Sequence, residues 1–490
     1  MPDMSALDPV YSNQQARSAE DALLARQVAP DELMKKAAAA VAEAAGAMAP
    51  AGTVLIVAGP GGNGGDGLYA GAHLSLAGHT VHALLVAGDA HQPALDTFRA
   101  AGGELTATDD YDLVIDAVAG LGSSRELDED IAALMARGRQ VLAIDAPTGV
   151  GTARSVRADA TITFGAARLP HAVYPECGEV IIADIGLGAV FEDYEPVGYT
   201  SFEASLGRRE WPEHLRPLAD TGPLPDLLPG ITDNKYTHGV TGIAAGSEQF
   251  PGAGILATAG AVNTTTSMVV TIGGSREFPE VVPADDVASA RKVDAWVVGP
   301  GRGADARALK ELETILDSGL PVIADADAIT LIAHHPHLQA KLRGVVLTPH
   351  TGEFARLQGE SQKSQQELSD AWGCHILLKG RITRITSPGA LPVSVNTGNS
   401  FAATAGSGDV LAGIIGALLA KDGADDTTGA TKGADSMQRL LLSAVAIHAH
   451  AAAHAARREH GYAPTRAMKI AEAISNAIAS RSSISSKSTS

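Results

Sequence analysis

The sequence predicts a protein with two unlike α/β domains. Two stretches of the chain alternate short β-rich runs with helical segments, a pattern typical of parallel sheets covered by helices. A segment rich in Pro, Glu and Asp separates the two stretches, and the second does not repeat the first. With 490 residues, 45% apolar residues and 53 glycines, the chain is long enough for two aliphatic cores joined by glycine turns.

The predicted strands define the domain organisation. In the first stretch we expect strands at residues 53–58, 81–86, 113–116, 141–145, 160–164 and 179–184. In the second stretch we expect strands at residues 241–245, 295–298, 322–324, 345–347 and 376–379. We therefore predict a first domain over residues 1–190, a linker with little regular structure over 191–232, a second domain over 233–480 and a Ser-rich tail over 481–490.

Charge and composition exclude several classes of partner. The chain has 37 Lys and Arg against 56 Asp and Glu, a formal net charge of −19. Nucleic acids and anionic membranes bind basic surfaces, so neither is expected as a partner. Two cysteines are too few for a disulfide scaffold and show no metal-binding spacing. The chain start lacks the basic and apolar regions of a signal peptide, so we expect a cytoplasmic location.

A glycine-rich loop follows the first predicted strand. It reads GPGGNGGDG over residues 59–67 and leads into a helix-compatible stretch. The backbone N–H groups of such a loop can face a pyrophosphate, as in dinucleotide-binding enzymes. Asp66 opposes that interpretation, because a carboxylate at a helix start competes with a phosphate for the same amides. Two interpretations remain: polar side chains that orient a ligand or a hard cation, and a plain glycine turn capped by Asp66.

Two further acids end predicted strands of the first domain. Asp116 precedes a loop with Gly120 and Gly122, and Asp145 precedes the segment APTG. Either carboxylate alone is compatible with a helix cap. Since the carboxyl ends of parallel strands meet at one edge of a sheet, their combination with the glycine loop predicts a ligand site at that edge.

These segments resemble the NAD(P)H-hydrate epimerase family. The resemblance covers about residues 5–190 and rests on GGNGGDG (61–67), DAPTG (145–149), TITFG (161–165), DIGL (184–187) and the opening YSxxQxR (11–17). It implies a Rossmann-like α/β/α sandwich that interconverts the R and S hydrates of NADH and NADPH with a bound potassium ion.

The resemblance also implies site residues. Asn63, Asp116 and Thr148 would hold the potassium ion, and Asp145 would perform acid/base work at the carbinol carbon. The chain departs from the family pattern at three positions: Gly62 stands for the usual Asn, Thr148 for Ser and Arg168 for Lys. The residues expected to bind the hydrate are Gly62, Asn63, Gly64, Gly65, Asp66, Gly120, Leu121, Gly122, Ser123, Ser124, Arg125, Glu126 and Asp145.

The strongest signal of the second domain is a glycine loop that opens a helix. The chain reads NTGN over residues 396–399 and TAGSGDVLAG over residues 404–413. Backbone amides of such a loop form a cradle for a phosphate or an oxyanion. Asp409 is then placed to accept the proton of a hydroxyl that attacks a phosphoryl group. From this loop alone, a helix cap remains the alternative role of Asp409.

The loop resembles the ribokinase-like superfamily, and the motifs before it narrow the resemblance. They occur in the order KYTHG (235–239), GSxxxPGA (246–253), VGPGRG (298–303), DADA (325–328), TPHTGE (348–353) and LKGxxT (378–383). This set, over about residues 230–480, resembles ADP-dependent NAD(P)H-hydrate dehydratase. The resemblance implies a ribokinase-like α/β domain that dehydrates (S)-NAD(P)H hydrate to NAD(P)H and converts ADP to AMP and phosphate.

The resemblance assigns residues and cofactors here as well. Hydroxide is a poor leaving group and phosphate a good one, so phosphoryl transfer to the carbinol oxygen followed by elimination explains a dehydration in a kinase-like site. Mg²⁺ is expected, since phosphoryl transfer needs charge neutralisation. The hydrate would contact Ala253, Gly303, His350 and Asp409, and the adenine nucleotide would contact Lys379, Gly380, Arg381, Ile382, Thr383 and Gly408.

The sequence thus favours a bifunctional repair enzyme with epimerase and dehydratase domains. NAD(P)H hydrates and an adenine nucleotide are its expected ligands, and we expect a homo-oligomer. One alternative is a ribokinase-like small-molecule kinase with an inactive nucleotide-binding N-terminal domain. It would consume ATP and leave a stable phosphorylated product. Another alternative is a module that senses nicotinamide nucleotides without catalysis.

Overall fold

The structure is a computed structural model that describes residues 6–106, 108, 110–120, 126–273, 277–425 and 433–481. The predicted hydrate-binding residues Leu121, Gly122, Ser123, Ser124 and Arg125 lie outside the described residues, as does the predicted tail after residue 481. The chain divides into two compact units. The N-terminal unit holds Leu7–Phe202 and Gly207–Ala219, and the C-terminal unit holds Glu203–Leu206 and the chain from Asp220 onward.

The N-terminal unit alternates strands and helices along the chain. Its strands are β1 (Asp8–Tyr11), β2 (Thr53–Ala58), β3 (Thr80–Leu85), β4 (Leu113–Ala117), β5 (Val141–Ile144), β6 (Ala160–Phe164), β7 (Ala167–Arg168), β8 (Glu179–Ala183), β9 (Gly198–Phe202) and β10 (Leu215–Pro217). Its helices are α1 (Asn13–Leu24), α2 (Glu32–Met48), α3 (Gly62–Leu76), α4 (Gln92–Ala100), α5 (Glu129–Met135), α6 (Leu169–Val173) and α7 (Gly188–Phe191).

A seven-stranded sheet forms the centre of this unit, in the order β10-β8-β6-β5-β4-β2-β3. All neighbours are parallel except β10, which pairs antiparallel with β8. Strand β2 is almost entirely buried, as expected for a parallel strand covered on both faces. In the register, Val57 lies opposite Asp116 of β4, so the ends of β2 and β4 meet at one edge.

Helix α3 packs unusually close to this sheet because of its glycines. A Cβ atom added to Gly67 would lie 2.5 Å from Cβ of Ala117, and one added to Gly71 would lie 2.2 Å from Cδ1 of Ile56. Neither distance is compatible with a real Cβ atom, so only glycine fits here. The close approach brings the first turn of α3 to the carboxyl edge of the sheet, where the predicted site lies.

The C-terminal unit has the same alternation followed by a helical end. Its strands are β11 (Val240–Ala244), β12 (Met268–Ile272), β13 (Val282–Ala284), β14 (Ala295–Val298), β15 (Val322–Ala324), β16 (Val346–Leu347), β17 (His375–Leu378), β18 (Ile382–Thr386), β19 (Val393–Asn396), β20 (Arg457–Arg458) and β21 (Gly461–Tyr462). Its helices are α8 (Pro251–Val262), α9 (Ala306–Leu316), α10 (Asp327–His334), α11 (Thr351–Gln358), α12 (Gln365–Trp372), α13 (Ser407–Asp425), α14 (Ala434–Ala456), α15 (Ala467–Glu472) and α16 (Ile474–Arg481).

The sheet of this unit runs β13-β12-β11-β14-β15-β16-β17-β18-β19. Strands β13 to β17 are parallel, and β17, β18 and β19 are antiparallel to one another. Helices α8 and α13 cross at glycines: a Cβ on Gly413 would lie 2.1 Å from the carbonyl oxygen of Ala257. This contact positions the N-terminus of α13, which carries Asp409, beside the sheet edge.

The predicted α/β fold class is confirmed, and the predicted strands are present within about one residue at each end. Two short strands, β9 and β10, lie inside the segment predicted as a linker, and β10 extends the sheet of the N-terminal unit. Among the described helices, none is long and apolar enough to cross a membrane.

Candidate active sites

The first candidate site begins with a buried carboxylate at the end of β4. Asp116 is fully buried, and its two carboxylate oxygens accept hydrogen bonds from the hydroxyl and the backbone N–H of Thr148, both at 2.7 Å. Burial raises the pKa of Asp116, and the hydrogen bonds from Thr148 and Val118 oppose it, leaving a pKa of about 6. The structure thus places Asp116 and Thr148, two of the three residues that the resemblance implies for a potassium site, in direct contact.

Asn63 and Asp145 face the same edge. Asn63 lies in the first turn of α3, and its Nδ2 donates to the carbonyl oxygen of Ile144 at 3.1 Å. A Cβ atom on Gly120 would lie 3.3 Å from both Oδ1 of Asn63 and Oδ2 of Asp145. The amide oxygen, the carboxylate and the glycine loop are thus within a few ångströms of one another.

The backbone of Asp145 has a φ of +68°, which residues other than glycine rarely adopt. Its carboxylate Oδ1 accepts a hydrogen bond from the Thr163 hydroxyl at 3.2 Å and lies 3.4 Å from Nη1 of Arg168. Its carbonyl oxygen accepts from Nε2 of His171 at 2.7 Å. A strained backbone persists only where the surrounding structure fixes it, and these contacts hold Asp145 in position at the end of the strand.

Arg168 links Asp145 to helix α1. The guanidinium is 1% exposed, and its Nη1 lies 3.0 Å from Oε1 of Glu20. His171 accepts the backbone N–H of Arg168 at Nδ1, and burial lowers the pKa of His171 to about 4, so the imidazole is neutral. The arginine that replaces the family's usual lysine is therefore an interior residue that touches two carboxylates.

A cavity of about 520 Å³ in the N-terminal unit is lined by Glu20, Asn63, Asp145 and Arg168, whereas Asp116, Thr148 and His171 are not among its lining residues. The cavity also contains Asp66, which lies inside α3 rather than at its start, so a capping role for Asp66 is wrong: the helix begins at Gly62 with Gly61 as its N-cap. Burial, together with the charges of Asp145 and Glu20, raises the pKa of Asp66 well above its usual value. The predicted site residues among the lining are Gly62, Asn63, Asp66, Gly120 and Asp145.

Three other predicted hydrate-binding residues lie in different surroundings. Gly64 and Gly65 are buried, and a Cβ atom on either would collide with Gly59 or Met34. Glu126 is exposed and pairs with Arg154 at 3.2 Å. By contrast, a Cβ at Gly62 would meet nothing within 4 Å, so space remains for the asparagine side chain that the family usually has.

The second candidate site is a cavity of about 640 Å³ in the C-terminal unit. Its lining contains residues predicted to bind the hydrate, His350 and Asp409, together with most of those predicted to bind the nucleotide. The latter are Lys379, Gly380, Arg381, Thr383 and Gly408. The loop between β19 and α13 forms another wall, with Thr397, Asn399, Ser400, Ala402, Ala403 and Thr404.

A buried ion pair lies below the glycine loop. Nζ of Lys379 lies 2.6 Å from Oδ1 of Asp325, which is 1% exposed at the end of β15. A Cβ atom on Gly408 would lie 3.3 Å from the same Nζ, so a larger residue would crowd the lysine. The position of Gly408 in the first turn of α13 and the cation beside it favour an anionic ligand at this point.

Asp409 lies in the first turn of α13, one residue after Gly408, so it is inside the helix rather than its cap. Burial and the charge of Asp325 raise its pKa, with further contributions from Asp327 and Glu353, against the opposing charge of Lys379. The resulting pKa is about 7. A carboxylate with a pKa near neutral is well matched to accepting a proton from a hydroxyl.

His350 and His448 both line this cavity. Nδ1 of His350 accepts the backbone N–H groups of Gly352 and Glu353, and its Nε2 lies 3.5 Å from Oε1 of Glu353. Nε2 of His448 lies 2.9 Å from Oγ of Ser407, the residue before Gly408. Burial lowers the pKa of His448 to about 4, so a neutral imidazole supports the glycine loop from behind.

Three other predicted residues of this site, Ala253, Gly303 and Ile382, are not among the residues that line the cavity. Gly303 donates its backbone N–H to Oδ2 of Asp327 at 2.7 Å, and Asp327 in turn raises the pKa of Asp409. Ala253 lies in the first turn of α8 and packs against Gly301. Ile382 is buried within β18.

Comparison with known proteins is decisive for the family. A family model described as NAD(P)H-hydrate dehydratase matches residues 241–476, and one described as YjeF-related protein N-terminus matches residues 30–169. The chain is 37% identical to a bifunctional NAD(P)H-hydrate repair enzyme from Corynebacterium glutamicum over 96% of this chain and 99% of that one. The chain belongs to the bifunctional NAD(P)H-hydrate repair enzymes. The predicted repair function and the epimerase and dehydratase domains are confirmed, and the kinase alternative is disfavoured.

Two further proteins are similar to this repair enzyme over part of its length. The chain is 35% identical to an ADP-dependent (S)-NAD(P)H-hydrate dehydratase from Neisseria meningitidis, over 38% of this chain and 71% of that one. A crystal structure of a ribokinase-like superfamily protein from Enterococcus faecalis is 25% identical, covers 52% of this chain and 92% of that chain, and has a TM-score of 0.44.

Several residues at the two sites of the repair enzyme were not predicted. Asp325 had a signal, since it follows a strand within the motif DADA, whereas Glu20 and His448 lie on helices with nothing in the pattern to single them out. His171 follows Arg168 by three residues, a spacing that becomes informative only once the turn is known.

Proposed function

We propose that the N-terminal domain interconverts the R and S hydrates of NADH and NADPH, and that the C-terminal domain dehydrates the S hydrate with ADP. The products are NAD(P)H, AMP and phosphate. The observation that carries this proposal is the presence of two separate cavities, each lined by acidic residues and a glycine loop, with Asp145 in the first and Asp409 in the second. The fusion also makes chemical sense, because the second domain uses one epimer and the first supplies it.

In the N-terminal site, Asp145 is the proposed acid/base residue. Its carboxylate is held by Thr163 and Arg168, and it faces the cavity at the carboxyl end of β5. The neutral imidazole of His171 donates to the carbonyl oxygen of Asp145 and so fixes the backbone of this residue. Proton transfer by the carboxylate at the carbinol group would then allow the configuration at that carbon to change.

Asn63, Asp116 and Thr148 are proposed to hold a potassium ion. Carboxylate, amide and hydroxyl oxygens are hard ligands of the kind that such cations bind. Asp116 is buried and bonded to neutral groups, and its raised pKa is the cost of that burial. A monovalent cation at this point would supply positive charge beside the carboxylate and beside the bound hydrate.

In the C-terminal site, Asp409 is the proposed base. It would accept the proton of the carbinol hydroxyl as that oxygen attacks the terminal phosphorus of ADP and AMP leaves. Lys379 and the N–H of Gly408 would bind the transferred phosphoryl group. The phosphate then leaves the carbon together with a proton from the neighbouring carbon, which forms the double bond of NAD(P)H.

Mg²⁺ is proposed to accompany ADP. This ion usually binds phosphates together with one or two carboxylates, and it would neutralise charge on the transferred group. Three carboxylates raise the pKa of Asp409 by their charge: Asp325, Asp327 and Glu353. Of these, we expect Asp327 and Glu353 to be the protein ligands of Mg²⁺.

We also propose a cytoplasmic location and a homo-oligomer. Light scattering of the eluted protein tests the oligomeric state.

The experiment that tests this function starts from a mixture of R and S NADH hydrates. The full chain is given Mg²⁺, K⁺ and ADP, and the return of NADH absorbance is followed. Rapid recovery of the whole pool is expected. Recovery of the S fraction alone, with the rest at the uncatalysed rate, would contradict the epimerase. No recovery of NADH absorbance with ADP or ATP would contradict the dehydratase activity and favour the kinase alternative.

A further inference from the structure

A short connecting segment of the chain is built into the C-terminal unit. Residues Glu203–Leu206 follow directly after β9 of the N-terminal unit but belong to the C-terminal unit. The backbone N–H of Glu203 donates to the carbonyl oxygen of Asn396, the last residue of β19, at 2.8 Å. The segment therefore lies beside the point where the loop of residues 397–404 begins.

The side chain of Ser205 holds this loop. Its Oγ accepts a hydrogen bond from Nδ2 of Asn399 at 2.6 Å and donates to the carbonyl oxygen of Thr397 at 3.3 Å. Asn399 is 6% exposed, and its Oδ1 accepts the N–H of Phe401 at 2.9 Å. The hydroxyl group of Ser205 thus contacts the loop at both Thr397 and Asn399.

The same loop is a wall of the proposed nucleotide cavity. Thr397 and Asn399 line that cavity, and Thr397 also donates its N–H and its hydroxyl to the carbonyl oxygen of Arg381, within the predicted nucleotide-binding segment. Thr397 therefore connects the loop wall with the predicted nucleotide-binding segment.

Glu203 anchors the connecting segment from below. Its carboxylate is fully buried and accepts hydrogen bonds from Nε2 of His450 at 3.0 Å and from the N–H of Thr221 at 2.8 Å, with Arg481 at 3.6 Å. Burial raises the pKa of Glu203, but these partners outweigh it and the pKa falls to about 2. The carboxylate is thus a charged, fully partnered anchor at any physiological pH.

One turn of α14 connects this anchor to the rest of the cavity. His450 holds Glu203, the carbonyl oxygen of Ala449 accepts from Nδ2 of Asn399, and His448 contacts Ser407 beside the glycine loop. Three consecutive residues of one helix therefore tie together the connecting segment, the loop wall and the anion cradle.

We infer that Ser205 and Glu203 are positioning residues of the dehydratase, which hold the loop of residues 397–404 against the adenine nucleotide. The inference rests on the proposed nucleotide site. It means that the connection after the epimerase domain is a working part of the dehydratase rather than a free tether. Neither residue touches the reacting atoms, so their effect is on nucleotide affinity rather than on the chemical step.

The test compares Ser205→Ala, Ser205→Thr and Leu206→Ala in the full chain. Ser205→Ala removes both hydrogen bonds of the hydroxyl, so we expect it to raise KM for ADP about fivefold and to change kcat less than about twofold. Ser205→Thr, which keeps the hydroxyl, should restore KM. Leu206 is 40% exposed, and its substitution is the matched control in the same segment. The unfolding temperature of each variant is the check on folding.

Two results would overturn the inference. One is an unchanged KM for ADP in Ser205→Ala; the other is a fall of kcat together with the unfolding temperature that Ser205→Thr does not rescue. Glu203→Gln, which keeps the hydrogen bonds of Thr221 but removes the charge, should also raise KM for ADP. Calorimetric titration with ADP alone separates this inference from the proposed function. Wild-type protein that binds ADP but converts no hydrate contradicts the proposed dehydratase function. In that case the Kd values of the variants for ADP still decide whether Ser205 and Glu203 position the loop.

Discussion

The two sites hold their acidic residues in opposite ways. Asp145 sits at the end of β5 with a hydroxyl and the buried guanidinium of Arg168 against its carboxylate. Asp409 sits in the first turn of α13 among the acids Asp325, Asp327 and Glu353, with Lys379 as the opposing charge. Both lie beside glycine loops at the carboxyl edge of a parallel sheet.

This difference shows how one protein can use the same residue type, aspartate, for two chemical tasks. A carboxylate surrounded by carboxylates gains a proton easily, which suits a base that removes a proton during phosphoryl transfer. A carboxylate fixed by an arginine and a hydroxyl keeps its position, which suits work at a carbon that must be approached from a defined direction. Four predictions test this comparison.

The largest expected effect is a double dissociation of the two activities. Asp409→Asn should lower the ADP-dependent dehydration of S hydrate by about 10²–10⁴-fold, the range for loss of a general base, and leave epimerisation unchanged. Asp145→Asn should do the reverse, and asparagine tolerates the positive φ of this position. Rates are measured separately, with pure S hydrate for one activity and R hydrate for the other. A variant that reduces both rates equally would contradict separate sites.

The next effect concerns stability of the N-terminal domain. Arg168→Met removes the buried partner of Asp145 and Glu20 and should lower the free energy of unfolding by about 3 kcal/mol, since a carboxylate is left without its cation. Arg168→Lys, which restores the family's usual residue, should lose much less. Urea unfolding followed by circular dichroism measures both. Equal losses in the two variants would show that shape rather than charge matters here.

A smaller effect is the pH profile of the dehydratase. Asp409 acts as a base only when ionised, and its pKa is raised to about 7. The rate with saturating ADP should therefore fall about tenfold per pH unit below 7 and level off above it. The epimerase rate of the same preparation is the control. A dehydratase rate that stays flat between pH 5.5 and 8, roughly the span of this titration, would be incompatible with the proposed base.

The smallest effect is stabilisation by potassium. The folded pKa of Asp116, about 6, exceeds its ordinary value, so ionisation costs stability as the pH rises from about 4 through 6. Replacing Na⁺ by K⁺ at pH 8 should therefore raise the free energy of unfolding by about 1 kcal/mol, and the gain should vanish in Asp116→Asn. Thermal unfolding at equal ionic strength gives the measurement. No difference between the two salts would remove the ion from the proposal, and so would equal epimerase rates.

Much of the fold was predictable because its strands are continuous apolar runs. Strands at 53–58, 160–164, 295–298 and 322–324 match the structure residue for residue. The strand β1 was not predicted, since it is short and pairs with β7 and β9, which are distant in the chain. The start of α3 was also misplaced, because successive glycines looked like a loop and only close packing against the sheet makes them helical.

The sequence predicted the acidic residues of the candidate sites but not the residues that contact them. Asp116, Asp145 and Asp409 follow from strand ends and glycine loops, and the structure places each at a cavity or beside one. The contacts of Arg168 with Glu20 and of Lys379 with Asp325 join residues that are 148 and 54 positions apart. No local pattern links such residues.

The sequence by itself determined which chemical groups stand at the ends of which strands, because the chain order and the apolar periodicity fix where parallel strands end. Only the tertiary structure decided the partners of those groups and therefore their charge state. Burial sets the pKa values of Asp116 and Asp409, and Glu203 stays ionised in the interior only because His450, Thr221 and Arg481 converge on it. Such convergence depends on three-dimensional packing. A charge is desolvated, and hydrogen bonds and ion pairs offset that desolvation, only when distant segments of the chain meet.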